Sequence, residues 1–518
     1  MADLPAATRG DEALPAVPGG SAAAGAERGD RPHGRVGVVD IGSNTVRLVV
    51  YDVPTRLPIP IFNEKSQCAL GSGLGRTGRL NPKGIDEALR SLVRFVRLSA
   101  AMGVDRLQLV ATAAVRDAID GLAFVARVEK ACGRPVHVLS GAEEARLAAV
   151  GLLNGTPGAD GVLGDLGGGS LDLVSLDLGA VGRFATLPLG HLRLFEESGG
   201  DYTRAKAILE ERLASVPWLA EMGGRTVWCI GGSWRALARI FIDQTNHPVH
   251  VVDNFAIGFF SALKLAELLA QSSQKTLETL PGVAAGRLLS LPYAAAALAA
   301  LLHATKAKGV VFSAYGMREG QMLELLPADI RRQDPLISAC EMAAERTARF
   351  SIGGMELLNW LTPVFPTETE AERRLRLATS LLSDIGWSEH PDYRAEHAYH
   401  RVLRIPYPGL THPDRAEMAL ATLIRYGGPE ESPMVAPIRT LLDDRRISRA
   451  RVCGLGLRLA HTLCGGAPGL LEQTRLRLSE KALTLDLPQD GAIFPSEAVE
   501  RRFNRLARAL GLKPVLQA

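Results

Sequence analysis

The stretch at residues 161–176, GVLGDLGGGSLDLVSL, restricts the possible folds of this chain more than any other. Two apolar segments flank a triple glycine, which predicts a strand, a turn too tight for a Cβ atom, and a returning strand. The bare N–H groups of such a turn attract anions, whereas the preceding Asp165 attracts cations. A carboxylate beside an anion-binding loop repels phosphate unless a metal ion lies between them. The stretch therefore indicates a metal–phosphate site.

The same arrangement occurs at residues 35–50, RVGVVDIGSNTVRLVV, where Asp40 precedes a glycine turn. One copy alone would also fit an ordinary β-hairpin. Two copies with the acid and the hydroxyl in register instead predict a duplicated fold whose halves face each other.

The composition narrows the class of protein. A chain of 518 residues with 47% hydrophobic and 22% charged residues is typical of a soluble protein with two to four domains. The net charge of +3 gives no reason to expect a nucleic-acid partner. The 6 cysteines include no C-x-x-C pair, so we expect a reducing, cytoplasmic location and neither a disulfide framework nor a zinc site.

The most apolar window, residues 291–302, is shorter than the roughly 18 residues that a membrane span needs. It predicts a buried helix, and we expect no membrane span. The N-terminus also lacks the compact apolar core and cleavage site of a signal peptide.

Strands and helices alternate from residue 35 to about residue 326, which predicts an α/β fold. The chain is then almost wholly helical until strands return near residues 482–487 and a closing helix follows at residues 497–510. We therefore predict a disordered tail, two α/β lobes, a helical domain and a small C-terminal subdomain, at residues 1–34, 35–147, 148–327, 328–445 and 446–518.

Two adjacent glutamates begin a predicted helix after a strand. Neighbouring helical residues point about 100° apart, so Glu143 and Glu144 cannot line one pocket as a pair. Ser140 and Glu143 have the spacing of a capping box. This interpretation leaves Glu144 free to orient a water molecule.

Arg116 follows a strand and a loop of small residues, where a guanidinium could bind phosphate through two nitrogens. A surface ion pair with Asp117 is the equally plausible alternative. A third glycine loop ends a strand and opens a helix at Gly231, Gly232 and Ser233, so its N–H groups favour anions, although tight helix–strand packing would explain it too. His191 is interpreted as a structural histidine.

Five motifs together resemble the exopolyphosphatase / guanosine pentaphosphate phosphohydrolase (Ppx/GppA) family. They occur in the family's order over residues 35–326, and they are DIGSNT from Asp40, SGAEEA from Ser140, DLGGGS from Asp165, PLGHLRL from Pro188 and REG from Arg318.

This resemblance implies duplicated actin-like lobes of the ribonuclease H-like type (ASKHA), which enclose an active cleft. It implies that Glu144 is the general base, that Arg116 contacts phosphate, and that Asp165 binds Mg²⁺ directly or through water. Asp172 replaces a Glu found in many members and is a second metal position. The two implied phosphate loops are formed by Asp40, Gly42, Ser43, Asn44, Gly167, Gly168, Gly169 and Ser170.

The helical remainder resembles an HD-type domain at residues 377–387, LATSLLSDIGW. The His-Asp pair of true HD hydrolases is replaced by Ser383 and Asp384, so we interpret this region as a scaffold that binds the substrate chain and forms a homodimer. Its basic residues are expected to guide the polyanion, and they are Arg346, Arg349, Arg373, Arg374 and Arg376.

We therefore expect an exopolyphosphatase that processively removes terminal phosphate from inorganic polyphosphate. The first alternative is 5′-phosphohydrolysis of guanosine pentaphosphate (pppGpp), since both substrates present a terminal phosphoanhydride. A second alternative is an actin-like kinase, and a third is a non-catalytic sensor of alarmone or polyphosphate.

Overall fold

The structure is a computed structural model that describes residues 34–517 except 53–55, 58, 282, 284, 348, 350–352 and 489–495. The predicted N-terminal tail lies outside the described residues, apart from residue 34.

The first lobe contains a five-stranded sheet with the order β3-β2-β1-β4-β5. Its strands are β1 (Arg35–Ile41), β2 (Thr45–Asp52), β3 (Ile59–Gln67), β4 (Val104–Ala111) and β5 (Val136–Val138). The helices of this lobe are α1 (Leu74–Thr77), α2 (Pro82–Ala101), α3 (Ala113–Asp117), α4 (Gly121–Cys132) and α5 (Gly141–Gly155).

The second lobe contains a six-stranded sheet with the order β10-β11-β9-β6-β7-β8. Its strands are β6 (Gly161–Leu166), β7 (Leu171–Asp177), β8 (Ala180–Leu187), β9 (Thr226–Ile230), β10 (Phe255–Gly258) and β11 (Gly309–Phe312). Its helices are α6 (His191–Ser198), α7 (Tyr202–Ala214), α8 (Gly232–Gln244), α9 (Phe259–Ala270), α10 (Gln274–Glu278), α11 (Leu291–Thr305) and α12 (Met317–Glu324).

The two sheets repeat one topology. In each sheet, three consecutive strands pair in antiparallel fashion. The first of them also pairs in parallel with a strand that returns after a helical segment: β1 with β4, and β6 with β9. The duplication predicted from the two glycine-turn motifs is therefore confirmed. The apolar helix α11 is buried, as its sequence predicts, and its residues pack in the core of the second lobe.

Beyond the lobes the chain is helical, as predicted. The helices are α13 (Ala328–Arg331), α14 (Pro335–Thr347), α15 (Gly354–Leu361), α16 (Glu370–Leu381), α17 (Arg394–Leu403), α18 (His412–Tyr426), α19 (Ala436–Arg439), α20 (Asp444–Cys464) and α21 (Glu497–Ala509). A small sheet, in the order β12-β13-β14, consists of β12 (Arg475–Leu478), β13 (Ala482–Asp486) and β14 (Lys513–Gln517).

One apolar cluster joins the helices before and after residue 445, from Leu336 to Ala507. The division of the chain into domains stays a prediction. Within the described part of the chain, no helix combines the length and the apolar character that crossing a membrane requires.

Candidate active site

The two glycine turns meet in a cavity of about 260 Å³ between the lobes. A Cβ atom added to Gly169 would lie 3.1 Å from the Ser43 hydroxyl oxygen, so the turns nearly touch. Thirteen of the fifteen predicted site residues line this cavity: Asp40, Gly42, Ser43, Asn44, Glu144, Asp165, Gly167, Gly168, Gly169, Ser170, Gly231, Gly232 and Ser233. Arg116 and Asp172 are the two that do not.

The second turn is shaped by close backbone packing against the start of α6. A Cβ atom at Gly190 would overlap the carbonyl carbon of Gly168, so only glycine fits there. The carbonyl oxygens of Gly167 and Gly168 accept hydrogen bonds from the N–H groups of His191 (3.2 Å) and Leu192 (3.1 Å). These bonds fix the direction of the turn.

The amides of the turn remain available to a ligand. The N–H of Gly167 donates to the Ser170 carbonyl at 3.0 Å, but the N–H groups of Gly168 and Gly169 donate to no acceptor in the described part of the chain. Unpaired amides that line a cavity attract an anion. The geometry therefore suits a phosphate group at this turn.

Glu143 and Glu144 are separated as the sequence predicts. The Ser140 hydroxyl accepts the N–H of Glu143 at 3.2 Å, and the Glu143 carboxylate accepts the N–H of Ser140 at 2.9 Å, which confirms the capping box. The Glu144 side chain, 13% exposed, points into the cavity instead.

The groups around Glu144 have opposing effects on the pKa of its carboxyl group. Burial and the neighbouring Asp172 raise the pKa of Glu144 well above its usual range, whereas the Arg116 guanidinium lowers it. Arg116 donates to the Glu144 carboxylate at 2.9 Å and to the Leu139 carbonyl at 3.0 Å. A carboxylate with a raised pKa beside one cation has the character of a general base.

The Arg116 side chain contacts the proposed general base, and it is absent from the residues that line the cavity. Its guanidinium is directed at Glu144 and lies 3.4 Å from Asp117, so the ion pair considered as the alternative is present. Asp117 is held in turn by Arg193 of the other lobe at 2.9 Å. The contact between Arg116 and phosphate stays a prediction, and the structure makes Arg116 a direct partner of Glu144.

The predicted metal positions are two buried carboxylates, which face each other across the β6–β7 pair. Burial, and the charges of Asp172 and Asp40, raise the pKa of Asp165 to about 7. Asp172 accepts the Ser170 hydroxyl at 3.2 Å, and its Oδ1 has no hydrogen-bond partner within the described residues. It lies behind the cavity wall rather than in it.

The side chains around Asp165 suit a Mg²⁺ ion that takes only one or two ligands from the protein. Among the described residues, no three His, Cys, Asp or Glu side chains are grouped closely enough to hold a metal ion. Mg²⁺ commonly takes one or two carboxylates and completes its shell with water and substrate phosphate. Asp165, buried among other acids and lining the cavity, matches that mode of binding.

The structure adds a group of basic side chains that the sequence-based prediction did not assign. Five of them line the cavity: Arg47, Lys65, Arg235, Arg287 and Arg318. Burial and the nearby Arg318 lower the pKa of Arg235 to about 10. Cations are therefore crowded in the cavity beside the carboxylates of Asp40, Glu144, Asp165 and Glu319, and they provide donors for an anionic ligand.

Some of these residues had a signal in the sequence. Arg318 begins the REG motif, and Arg235 follows the third glycine loop by two residues. Arg47 pairs with Asp40 across the β1–β2 hairpin. Arg287, which hydrogen-bonds the Gly232 carbonyl, ends a short 3₁₀ helix that no signal in the sequence predicts.

His191 also lines the cavity, although its motif suggested a structural histidine. Burial, together with Arg287, lowers the pKa of His191 to about 4, so the ring is neutral at pH 7. Its Nδ1 has no hydrogen-bond partner within the residues that the structure describes.

Two duplicated α/β lobes that enclose a glycine-rich cleft lined by both acidic and basic side chains define an actin-like fold, here followed by a helical region. Residues 49–329 match the model of the Ppx/GppA phosphatase family, and residues 336–516 match that of the exopolyphosphatase C-terminal region. The chain belongs to the Ppx/GppA phosphatase family.

Individual relatives carry two kinds of name. The chain is 24% identical over 473 residues to a guanosine-5′-triphosphate,3′-diphosphate pyrophosphatase of Aeromonas salmonicida, a match that covers 87% of this chain and 92% of that protein. It is 29% identical over 311 residues to exopolyphosphatase 1 of Mycobacterium tuberculosis. This match covers 57% of this chain and 89% of that protein.

A solved structure shares the fold. The crystal structure of an exopolyphosphatase from Cytophaga hutchinsonii aligns with a TM-score of 0.52 and 22% identity, over 57% of this chain and 99% of that one.

Proposed function

We propose that this protein hydrolyses the terminal phosphate from inorganic polyphosphate. The observation that carries the proposal is the lining of the cavity: two glycine turns and five basic side chains, with no Phe, Tyr or Trp among the described lining residues. Such a lining suits a chain of phosphates, whereas a nucleobase is usually held by stacking on an aromatic ring.

Glu144 accepts the proton of the attacking water in this proposal. Its raised pKa lies close to the working pH, where a general base is most effective. Arg116 keeps part of the carboxylate ionised and fixes its direction through the 2.9 Å hydrogen bond. The attack needs no covalent intermediate with the protein, so one positioned base is sufficient.

The phosphate turns provide the electrostatic part of the mechanism. The free N–H groups of Gly168 and Gly169 donate to the oxygens of the terminal phosphate, and Arg318 and Arg47 balance charge that accumulates on them. When Mg²⁺ is bound at Asp165, it neutralises phosphate oxygens that would otherwise repel this carboxylate. Processive action follows if basic groups retain the remaining chain.

The basic residues expected to guide that chain are mostly engaged already. Arg376 is 3% exposed and pairs with Glu368, and Arg374 bonds Asp334. Arg373 lies 3.9 Å from Glu368. The cavity's own basic residues are therefore better placed to hold polyphosphate than these helices.

The second candidate is 5′-phosphohydrolysis of pppGpp. It is favoured by the Aeromonas relative, which carries that type of name and matches 87% of this chain. Both substrates end in a phosphoanhydride that one cleft can accept.

Parallel kinetics with the two substrates test the proposal. We expect kcat/KM for phosphate release from long polyphosphate to exceed that for pppGpp. A higher value for pppGpp would replace the first candidate by the second. Absence of phosphate release from both, with Mg²⁺ present, would leave the sensor hypothesis, and phosphate transfer from ATP to a small acceptor would indicate a kinase.

The homodimer and the cytoplasmic location also stay proposals. Light scattering of the purified chain at several concentrations measures the first: the mass should be twice the 55.3 kDa of one chain.

A further inference from the structure

A second cavity, of about 330 Å³, lies within the helical region and shares no lining residue with the cleft. Five arginines from five separate segments converge on it: Arg349, Arg394, Arg425, Arg458 and Arg502. The cavity adjoins the segment that resembles an HD motif, since Asp384 bonds two of these arginines.

Among the described residues, the carboxylate found within ion-pair distance of these arginines is that of Asp384. Asp384, 4% exposed, accepts Arg425 at 3.0 Å and lies 3.3 Å from Arg349. Arg458 and Arg502 have no carboxylate within ion-pair distance in the part of the chain that the structure describes. The cavity therefore has a large excess of positive charge.

Two further features show that the described residues satisfy these guanidinium groups only in part. Arg425 is 6% exposed, and its Nε has no hydrogen-bond partner within the described residues, nor has the Nε of Arg502. Burial and the charges of Arg502, Arg505 and Arg425 lower the pKa of Arg458 to about 10. A buried N–H donor without an acceptor costs free energy that a bound anion would recover.

The same features argue against a metal ion here. Ser383 replaces the histidine of the motif. Its hydroxyl oxygen lies 2.9 Å from Nε2 of His461. The carboxylate oxygens of Asp384 accept hydrogen bonds from two guanidinium groups, which lie where a metal ion would have to bind this carboxylate. A metal ion would meet strong repulsion from the surrounding arginines.

We propose that this cavity binds a compact phosphoanhydride anion, either an inorganic oligophosphate or the polyphosphate group of a nucleotide. Guanidinium groups match phosphate oxygens in planar, two-point hydrogen bonds. Arg458, His461 and Thr462 lie three and four residues apart on α20, so this helix presents them to the ligand on one face. The site is separate from the cleft and does not depend on the proposed reaction.

Titration calorimetry with tripolyphosphate tests the proposal, and the full chain carrying Glu144→Gln limits turnover during the measurement. The double variant Arg458→Gln/Arg502→Gln in that background should lose one binding event. We expect its affinity to fall at least about 100-fold, because each lost charged hydrogen bond weakens binding about tenfold or more.

The matched control is Arg445→Gln/Arg508→Gln. It removes one exposed arginine from each of the same two helices, α20 and α21, outside the cavity, and changes the net charge equally. This control should keep the binding event. Equal binding by the parent and both double variants, or equal weakening in both, would overturn the proposal.

Two additional measurements complete the test. Thermal denaturation without ligand should show that Arg458→Gln/Arg502→Gln folds at least as stably as the parent, because repulsion between like charges is relieved. Titrations with guanosine 5′-diphosphate 3′-diphosphate separate the two sources of the anion: tighter binding than tripolyphosphate assigns a nucleotide, and weaker binding assigns an inorganic oligophosphate.

Discussion

Two adjacent glutamates at the start of α5 have different surroundings, and this difference is the main feature of the site at the scale of single residues. Glu143 is engaged with Ser140 in the helix cap, whereas Glu144 bonds Arg116 and lines the cleft. Local spacing separates the two side chains, but only the approach of Arg116 gives Glu144 a cation that keeps it partly ionised.

Replacement of Glu144 by Gln should reduce the rate of phosphate release about 10²- to 10⁴-fold, the usual contribution of a general base. Initial-rate assays with polyphosphate and Mg²⁺ measure it. Glu143→Gln is the control: it weakens a helix cap, at a cost of about 1 kcal/mol in stability, and should leave the rate near that of the parent. A folded E144Q variant with the parent rate would contradict the role of Glu144.

The buried acids should make the substrate-free protein less stable as the pH rises. The pKa of Asp165 is about 7 in the folded chain and about 4 when unfolded, so the folded state binds the proton more tightly. This contribution is complete below about pH 4 and is lost as the pH rises through about 7. Thermal denaturation across this range should show a smaller decline for Asp165→Asn than for the parent. Parallel declines in the two proteins would refute the assignment.

At the scale of elements, the glycine turns depend on contacts that their own sequence does not include. The β6–β7 turn is held by α6, whose first N–H groups bond the carbonyls of Gly167 and Gly168. Gly190 permits this approach because no Cβ atom fits against Gly168. The turn and the start of α6 therefore form one unit that places free amides in the cleft.

Gly190→Ala should destabilise the protein by about 1–3 kcal/mol, because the added methyl group must displace backbone. Phosphate release should also fall, since the turn amides move. Gly158→Ala is a matched control: a Cβ there meets nothing within 4 Å. Chemical denaturation of the three proteins measures the effect, and similar midpoints for G190A and G158A would show that the turn tolerates the shift.

At the scale of the whole molecule, side chains bridge the parts of the chain. Glu196 of the second lobe accepts the Gly73 N–H of the first at 2.8 Å, next to the Arg193–Asp117 pair. His412 of the helical region lies 3.2 Å from the Asp253 carbonyl of the second lobe. The cleft is thus formed between lobes whose relative position is fixed by contacts far apart in the sequence.

Electrostatic attraction by the cleft as a whole should make substrate binding sensitive to salt. Raising the ionic strength from about 0.05 M to about 0.3 M should raise KM for polyphosphate several-fold, because exposed charges are screened within a shorter Debye length. Arg318→Gln should reduce this dependence. Arg183→Gln, which removes an exposed arginine outside the cleft, should not. A KM that does not change with salt would contradict attraction by the cleft.

The predictable part of this protein depends on near neighbours in the chain. Both hairpins, the α5 capping box and the buried helix α11 follow from spacing and from the steric freedom of glycine, which act over a few residues. Thirteen of the predicted site residues line one cavity, because the repeated motifs and the family resemblance, rather than spacing alone, had grouped them. Short strands such as β10, β12 and β14 were not predicted, because their pairing depends on partners elsewhere.

The tertiary structure alone decided the charges around the site. It directed Arg116 to Glu144, kept Asp172 out of the cavity lining, and brought Lys65 of β3 and Arg287 of a 3₁₀ helix to the cleft. It also gathered five arginines around one cavity of the helical region, next to Asp384. Coulomb interactions act through space rather than along the chain, so they are determined only when the lobes and helices have packed.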